Sequence, residues 1–136
     1  FEHFPDPLNK LRQIMRHLKK GGRVIIEVPH AGDFLLRDDV ACEAFRRHTL
    51  WSQHLILHTR TSLTTMLKHA GFNGVTIQGV QRYPLSNHLY WLANGKPGGH
   101  VSTLSAIDSS NLLTCYQASL ARLDATDTII AVATKK

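Results

Sequence analysis

The chain has 136 residues, of which 43% are hydrophobic and 19% are charged, the ordinary composition of one soluble globular domain. No apolar stretch approaches the roughly 20 residues that a membrane-spanning helix needs, so we expect no membrane partner. The formal net charge is +6, but the 16 Lys and Arg residues occur singly or in pairs, which argues against a nucleic-acid partner and is compatible with a phosphate-bearing small substrate.

The first predicted element is a helix that begins at Pro7. Asp6 can cap this helix, and Pro7 suits the first helical position. Gly21 or Gly22 supplies a left-handed stop. The apolar side chains between these ends recur at helical spacing and form one stripe: Leu8, Leu11, Ile14, Met15 and Leu18.

The next predicted element is a strand over residues 24–28. Its sequence does not alternate cleanly between apolar and polar residues. That pattern is typical of a strand in a parallel sheet with helices on both faces. The periodicity then fades until about residue 59, apart from a helix predicted over residues 38–47. A connection of this length is often a lid or a binding element.

Regular patterns return near residue 61. Thr61 or Ser62 can cap a helix that Gly71 ends, and residues 75–80 alternate as in a strand near the edge of a sheet. A second long connection follows, over residues 81–110. Ser109 or Ser110 then caps a helix whose predicted buried side carries Leu112, Leu113, Tyr116, Leu120 and Leu123. Residues 128–134 have almost no polar face, which predicts a central strand.

Two ordered segments carry a resemblance to a known family. They are Phe1-Glu2-His3-Phe4-Pro5-Asp6-Pro7 and Lys19-Lys20-Gly21-Gly22-Arg23-Val24-Ile25-Ile26-Glu27-Val28-Pro29. This order resembles the middle of a class I S-adenosylmethionine-dependent methyltransferase, from its fourth strand through its fifth. The resemblance implies an α/β fold that forms the C-terminal half of a Rossmann-like sheet, with the last strand antiparallel between the fifth and sixth. More narrowly, residues 51–60 and 81–92 are similar to bacterial members thought to act on sugars or other small metabolites.

Two parts of the family pattern have no counterpart in the chain. These are the glycine-rich turn after the first strand and the acidic residue that holds the ribose. The cluster Gly95–Gly99 contains Pro97, follows no strand that leads into a helix, and predicts a turn. We therefore expect residues 1–136 to be a single domain that forms the C-terminal part of a methyltransferase domain. The N-terminal cofactor-binding half would be missing, and the chain alone would bind the cofactor poorly.

The resemblance also implies site residues. Phe1, Glu2 and His3 match positions that line the methionine end of the cofactor, the alternative being a plain loop before a capped helix. His30 leaves a strand at the same rim and is a candidate for substrate contact, the alternative being a surface-loop histidine. Arg60 and Arg82 are candidates for binding a phosphate or carboxylate of the substrate, because a guanidinium offers a planar fork of donors.

His54 and His58 are four residues apart and would share a face of a regular helix or strand. His54 is the candidate catalytic base, since an imidazole with a pKa near 6.5 can accept a proton at neutral pH. The alternatives are a hydrogen-bonded structural histidine and a metal ligand. No acidic residue lies within this motif to complete a ligand set, so no metal is expected.

The resemblance implies an enzyme that transfers a methyl group from S-adenosylmethionine to a small-molecule acceptor, with nucleotide sugars as the candidate class. The alternative is a non-catalytic α/β module for binding or assembly. Cys42 and Cys115 form no disulfide framework, so we expect a reduced, cytoplasmic protein. The exposed edge of the strand at residues 24–28 predicts a homo-oligomer.

Overall fold

A computed structural model describes residues 1–51 and 53–136. Ser52, which belongs to the segment quoted for the narrower resemblance, lies outside the described residues. No helix in the described ranges is long and apolar enough to span a membrane. The described elements are the helices α1 (Pro7–His17), α2 (Glu43–Thr49), α3 (Arg60–His69), α4 (Leu85–Asn94) and α5 (Ser110–Arg122), and the strands β1 (Arg23–Pro29), β2 (Asn73–Val80) and β3 (Thr128–Thr134).

The three strands form one sheet in the order β1-β3-β2. β3 runs antiparallel to β1, with register pairs from Arg23 and Thr134 to Pro29 and Thr128. The predicted α/β class, the central antiparallel last strand and the edge position of β2 are therefore confirmed. Ile129, at 0% exposure, pairs with Val28 on the sheet face that the helices α1 and α3 cover.

The contacts divide the chain into two compact units. The first unit is Phe1–Ala31, Gln53–Gln78 and Thr128–Lys136, and the second is Gly32–Ser52 and Gly79–Asp127. In the first unit, α1 and α3 pack on one face of the sheet, where Leu11, Leu63 and Leu67 are 0% exposed. The core therefore lies between two helices and the sheet.

The opposite face of β1 corrects one prediction. Ile25, which pairs with Val132 in the register, is 69% exposed, and Glu27 is exposed beside it. We expected β1 to be covered on both faces, but within the described residues α1 and α3 contact only the face that carries Ile26 and Val28. Although the apolar residues of β1 do not alternate cleanly with polar ones, only one of its faces is covered within the described residues.

The helix starts show where local chemistry is decisive. α1 begins as predicted, because the Asp6 side chain accepts a hydrogen bond from the Asn9 N–H at 2.9 Å. α3 begins two residues earlier than predicted, since Thr59 is the cap. Thr59 and Ser62 exchange side-chain and backbone hydrogen bonds in a capping box, which satisfies two otherwise unpaired N–H groups.

The second unit holds the other differences. The helix expected at residues 38–47 lies at Glu43–Thr49, after Ala41 with a φ of 51°, a conformation that interrupts a right-handed helix. α4 was not predicted at all. α5 is capped by Ser109, and Leu123 on its predicted buried side is 55% exposed.

The glycine cluster forms the predicted turn. Gly95 ends α4 with a φ of 64°, in the left-handed region where a side chain is unfavourable. Gly99 packs so closely that a Cβ atom would overlap the Ser86 carbonyl. Larger residues are therefore excluded at Gly99.

Substitutions on the two faces of the sheet test the position of β3. Replacing Ile129 with Ala leaves a cavity in the buried core, so we expect a loss of about 2–5 kcal/mol in the free energy of unfolding. The matched change Ile25→Ala removes an exposed side chain and should cost less than about 1 kcal/mol. Urea denaturation followed by circular dichroism measures both, and equal losses would contradict the arrangement.

Candidate functional site

Three predicted site residues lie together in the first unit. Glu2, His3 and His54 each offer one ligand-type atom, and these atoms lie within 4.8 Å of one another. The turn before α1 supplies the first two residues, and an irregular segment at residues 53–57 supplies the third. We call this group the Glu2–His3–His54 cluster.

Backbone hydrogen bonds hold the two segments of the cluster together. The N–H groups of Leu55 and Ile56 both donate to the Glu2 carbonyl oxygen, at 3.0 and 3.4 Å. The cluster therefore depends on chain segments about 50 residues apart in sequence. Such a pairing follows from the tertiary fold and not from local spacing.

A hydrogen bond from one of its ring nitrogens orients the His3 side chain. Its Nδ1 atom lies 2.6 Å from the Gln53 carbonyl oxygen, and because a carbonyl only accepts, Nδ1 carries a proton. The other ring nitrogen, Nε2, lies 3.4 Å from the Glu2 Oε1 atom. The rings of His3 and His54 are 5.0 Å apart between centroids.

Glu2 is the negative charge of the cluster. Its Oε2 atom accepts a hydrogen bond from the α-amino group of Phe1 at 2.9 Å, and its side chain is 14% exposed. Burial alone would raise the pKa of Glu2, but the hydrogen bonds to the Phe1 amino group and to its own backbone outweigh burial and lower it. The carboxylate is therefore ionised at neutral pH.

His30 and His58 lie beside the cluster and are buried. Their backbones form a parallel bridge, with the Ala31 N–H donating to the His58 carbonyl oxygen at 2.9 Å. His30 is 2% exposed, so the alternative of a surface-loop histidine is wrong, while its contact with substrate stays a prediction.

His58 does not share a regular face with His54, because residues 54–57 form neither helix nor strand. The His58 ring packs 5.6 Å from the Phe1 ring, and burial lowers its pKa. Its Nε2 atom has no hydrogen-bond partner among the residues that the structure describes. Sequence spacing gave no signal for this burial.

The two arginines lie in different units. The Arg60 Nη1 atom donates to the Ile77 carbonyl oxygen at 2.7 Å, which attaches the start of α3 to β2. The Arg82 side chain is exposed, and its backbone N–H donates to the Asp127 carboxylate at 2.9 and 3.1 Å. Their roles in substrate binding stay predictions.

The second unit contains a buried polar network that the sequence analysis missed. The Asp127 N–H donates to the Gln81 Oε1 atom at 3.0 Å, so the Gln81 amide nitrogen faces the His88 Nε2 atom at 3.3 Å. Because an amide nitrogen only donates, that imidazole nitrogen accepts. The His88 Nδ1 atom then carries the proton and donates to the Tyr116 hydroxyl.

Two buried groups of this unit have shifted pKa values. Burial raises the pKa of Asp33 from 3.8 to about 7, although the hydrogen bond from the Leu35 N–H opposes the change, and the Asp127 carboxylate adds to it. Burial also lowers the pKa of His88 from 6.5 to about 4. At neutral pH the imidazole is therefore neutral and the Asp33 carboxyl is close to half protonated.

Comparison with known proteins gives one family. Residues 1–77, more than half of the chain, match the model of a family described as a methyltransferase domain. No curated protein sequence matches the chain.

Two solved structures are similar in fold. One is a SAM-dependent methyltransferase from Thermotoga maritima, with 15% identity, 98% of this chain and 50% of that chain covered, and a TM-score of 0.55. The other is a SAM-dependent methyltransferase from Archaeoglobus fulgidus, with 15% identity, 98% and 55% coverage, and a TM-score of 0.56. The chain thus has the fold of part of these enzymes and spans about half of their length.

The opposed pKa shifts of Asp33 and His88 predict compensating effects of pH on stability. The folded protein binds a proton at Asp33 more tightly than the unfolded chain, so this group lowers the free energy of unfolding as the pH rises from about 4 to about 7. The folded protein binds a proton at His88 less tightly than the unfolded chain does. This group therefore raises the free energy of unfolding as the pH rises from about 4 to 6.5.

We expect Asp33→Asn to gain stability relative to the native chain as the pH rises from 4 to 7, by about 1.4 kcal/mol for each unit of pKa shift removed. The Asn carbonyl can still accept the bond from Leu35. The matched variant His88→Gln should lose relative stability over the same range. Urea denaturation at a series of pH values measures both, and a difference that does not vary with pH would contradict the assignment.

Proposed function

The chain belongs to the methyltransferase-domain family, and from this membership we propose that it transfers a methyl group from S-adenosylmethionine to a small-molecule acceptor. The match over residues 1–77 is the observation that carries the proposal. We further propose that residues 1–136 supply the C-terminal half of the catalytic domain. The coverage of only about half of each related structure supports this assignment.

We propose that Phe1, Glu2 and His3 contact the methionine end of S-adenosylmethionine. When bound, this cofactor supplies a methyl group on a positively charged sulfonium. The Glu2 carboxylate suits such a ligand, because its pKa is lowered and it carries a negative charge at neutral pH. A buried or half-buried carboxylate stabilises a nearby cation more strongly than an exposed one.

His54 is the proposed catalytic base. A hydroxyl or amine acceptor must lose a proton as it gains the methyl group, and an imidazole at neutral pH can take that proton. His54 is half-buried and lies against His3 in the cluster that contacts the cofactor in this proposal. The chain then aligns the acceptor with the methyl donor and excludes water from the reaction.

The acceptor is proposed to carry an anionic group, with nucleotide sugars as the first class to test. Arg60, Arg82 and His30 are the proposed substrate contacts, and the net charge of +6 favours an anionic ligand. The complete encoded protein should be incubated with S-adenosylmethionine labelled in the methyl group and a panel of nucleotide sugars. A labelled product supports the proposal, and no transfer to any acceptor supports a non-catalytic module instead.

Replacing His54 with Gln tests the base. The Gln side chain keeps hydrogen-bonding capacity but cannot take up a proton, so we expect kcat to fall by about 10²–10⁴-fold at neutral pH with little change in the Kd for the cofactor. His69→Gln, an exposed change at the end of α3, is the control and should leave kcat unchanged. An unaltered kcat in the His54→Gln variant would refute the proposal that His54 is the catalytic base.

The outer edge of β1 is proposed to pair with a second copy of the chain. β1 is an outer strand of the described sheet, and such an edge offers main-chain hydrogen-bonding groups to another strand. Analytical ultracentrifugation of residues 1–136 should show a dimer at high concentration. The substitution Ile25→Lys should weaken the dimer, because a charged side chain on an edge strand opposes pairing with another strand. A monomer at every concentration would refute this proposal.

A further inference from the structure

The donor atoms of the Glu2–His3–His54 cluster lie close enough together to point to a further ligand. The His3 Nδ1 atom lies 2.6 Å from the Gln53 carbonyl oxygen. The other ring nitrogen, Nε2, lies 3.4 Å from the Glu2 Oε1 atom. A cation between these two atoms, whether a proton or a metal ion, is attracted by both of them.

We propose that Glu2, His3 and His54 bind a divalent transition-metal ion, of which Zn²⁺ is the representative. Two imidazoles and one carboxylate are a common ligand set for Zn²⁺ at sites with three protein ligands. The three donor atoms lie within 4.8 Å of one another, so small side-chain movements bring them to bonding distance of one ion. The spacing around His54 did not indicate a metal site, because the acidic residue of the cluster, Glu2, lies 52 residues away in sequence.

The supports of this site are already in place. A metal-bound histidine commonly donates its second ring nitrogen to a carbonyl, and His3 makes that bond to Gln53 at 2.6 Å. The Glu2 Oε1 atom lies 3.4 Å from the His3 Nε2 atom, so one carboxylate oxygen is already directed to this imidazole. The hydrogen bonds from Leu55 and Ile56 to the Glu2 carbonyl hold both segments in register.

Metal binding at this cluster would oppose the proposed methyl transfer, and this consequence rests on the proposed function. A His54 nitrogen that coordinates a metal cannot take up a proton. A Glu2 oxygen that coordinates a metal is not available to the cationic cofactor. We therefore infer that Zn²⁺ inhibits the enzyme in competition with S-adenosylmethionine, and that the cluster makes activity sensitive to free transition metal.

Metal binding can be measured without any assay of activity. Protein freed of metal by a chelator is titrated with zinc chloride by calorimetry, and with cobalt(II) chloride by visible absorption. We expect one ion per chain, and a cobalt spectrum typical of a four-coordinate site with nitrogen and oxygen ligands. His3→Gln, an exposed change that should not disturb folding, and His54→Gln should each weaken binding by about 100-fold or more, beyond the 10–100-fold that loss of a supporting partner costs.

His17→Gln and His69→Gln are matched controls, because both remove exposed histidines at helix ends far from the cluster in sequence. They should bind Zn²⁺ as the native chain does. Binding that is equally strong in the His3 and His54 variants, or no binding to the native chain, would overturn the metal site.

A test of inhibition by Zn²⁺ distinguishes a failure of the proposed metal site from a failure of the proposed function. In the complete encoded protein, Zn²⁺ should raise the apparent KM for S-adenosylmethionine, and a chelator should restore the original KM. An active enzyme that binds Zn²⁺ but is not inhibited would overturn the competition. A protein that binds Zn²⁺ at the cluster but transfers no methyl group even after a chelator has removed the metal would refute the proposed function and leave the metal site standing.

Discussion

The antiparallel pairing of β3 with β1 is the interaction on which the described architecture depends. It places the buried side chain of Ile129 between the sheet and the helices α1 and α3, which pack on the same face. Without this central strand, β1 and β2 would have no shared neighbour, and the apolar faces of both helices would lose their contact surface. The carboxyl end of β1, where His30 bridges to His58, is positioned by the same pairing.

Charge balance is the second constraint, and it concerns the Glu2–His3–His54 cluster. A half-buried carboxylate and two imidazoles lie together, and their preferred state depends on which cation is near. Under the two proposals, a cationic cofactor and a divalent metal compete for the atoms of this cluster, as a proton does. The proposed catalytic and metal-binding roles therefore exclude each other, and the concentration of each cation selects between them.

The helices and strands whose apolar residues follow a regular pattern were predictable from the sequence. The helix α4 was not, because its pattern is unusual. The buried side of α4 carries Ser86, Asn87 and His88, while Leu92 is 49% exposed. This inverted pattern is stable only because the buried polar groups have partners, such as Asp108 for Ser86 and the Gly98 N–H for Asn87. These partners lie outside α4, 22 positions from Ser86 and 11 positions from Asn87, and the periodicity of the helix itself does not indicate them.

Side-chain type and spacing predicted the Asp6 cap, the central position of residues 128–134 and the candidate His54, and the family resemblance implied the α/β class and the candidates Glu2 and His3. The Asp6 cap and the strand depend on side-chain type and on neighbours within one turn or one strand. The meeting of Glu2 and His3 with His54, the burial of His58 and the network of Gln81, His88 and Tyr116 required the folded chain. The reason is physical: most of these contacts join residues dozens of positions apart, and their energies depend on distance and burial, which spacing in sequence does not encode.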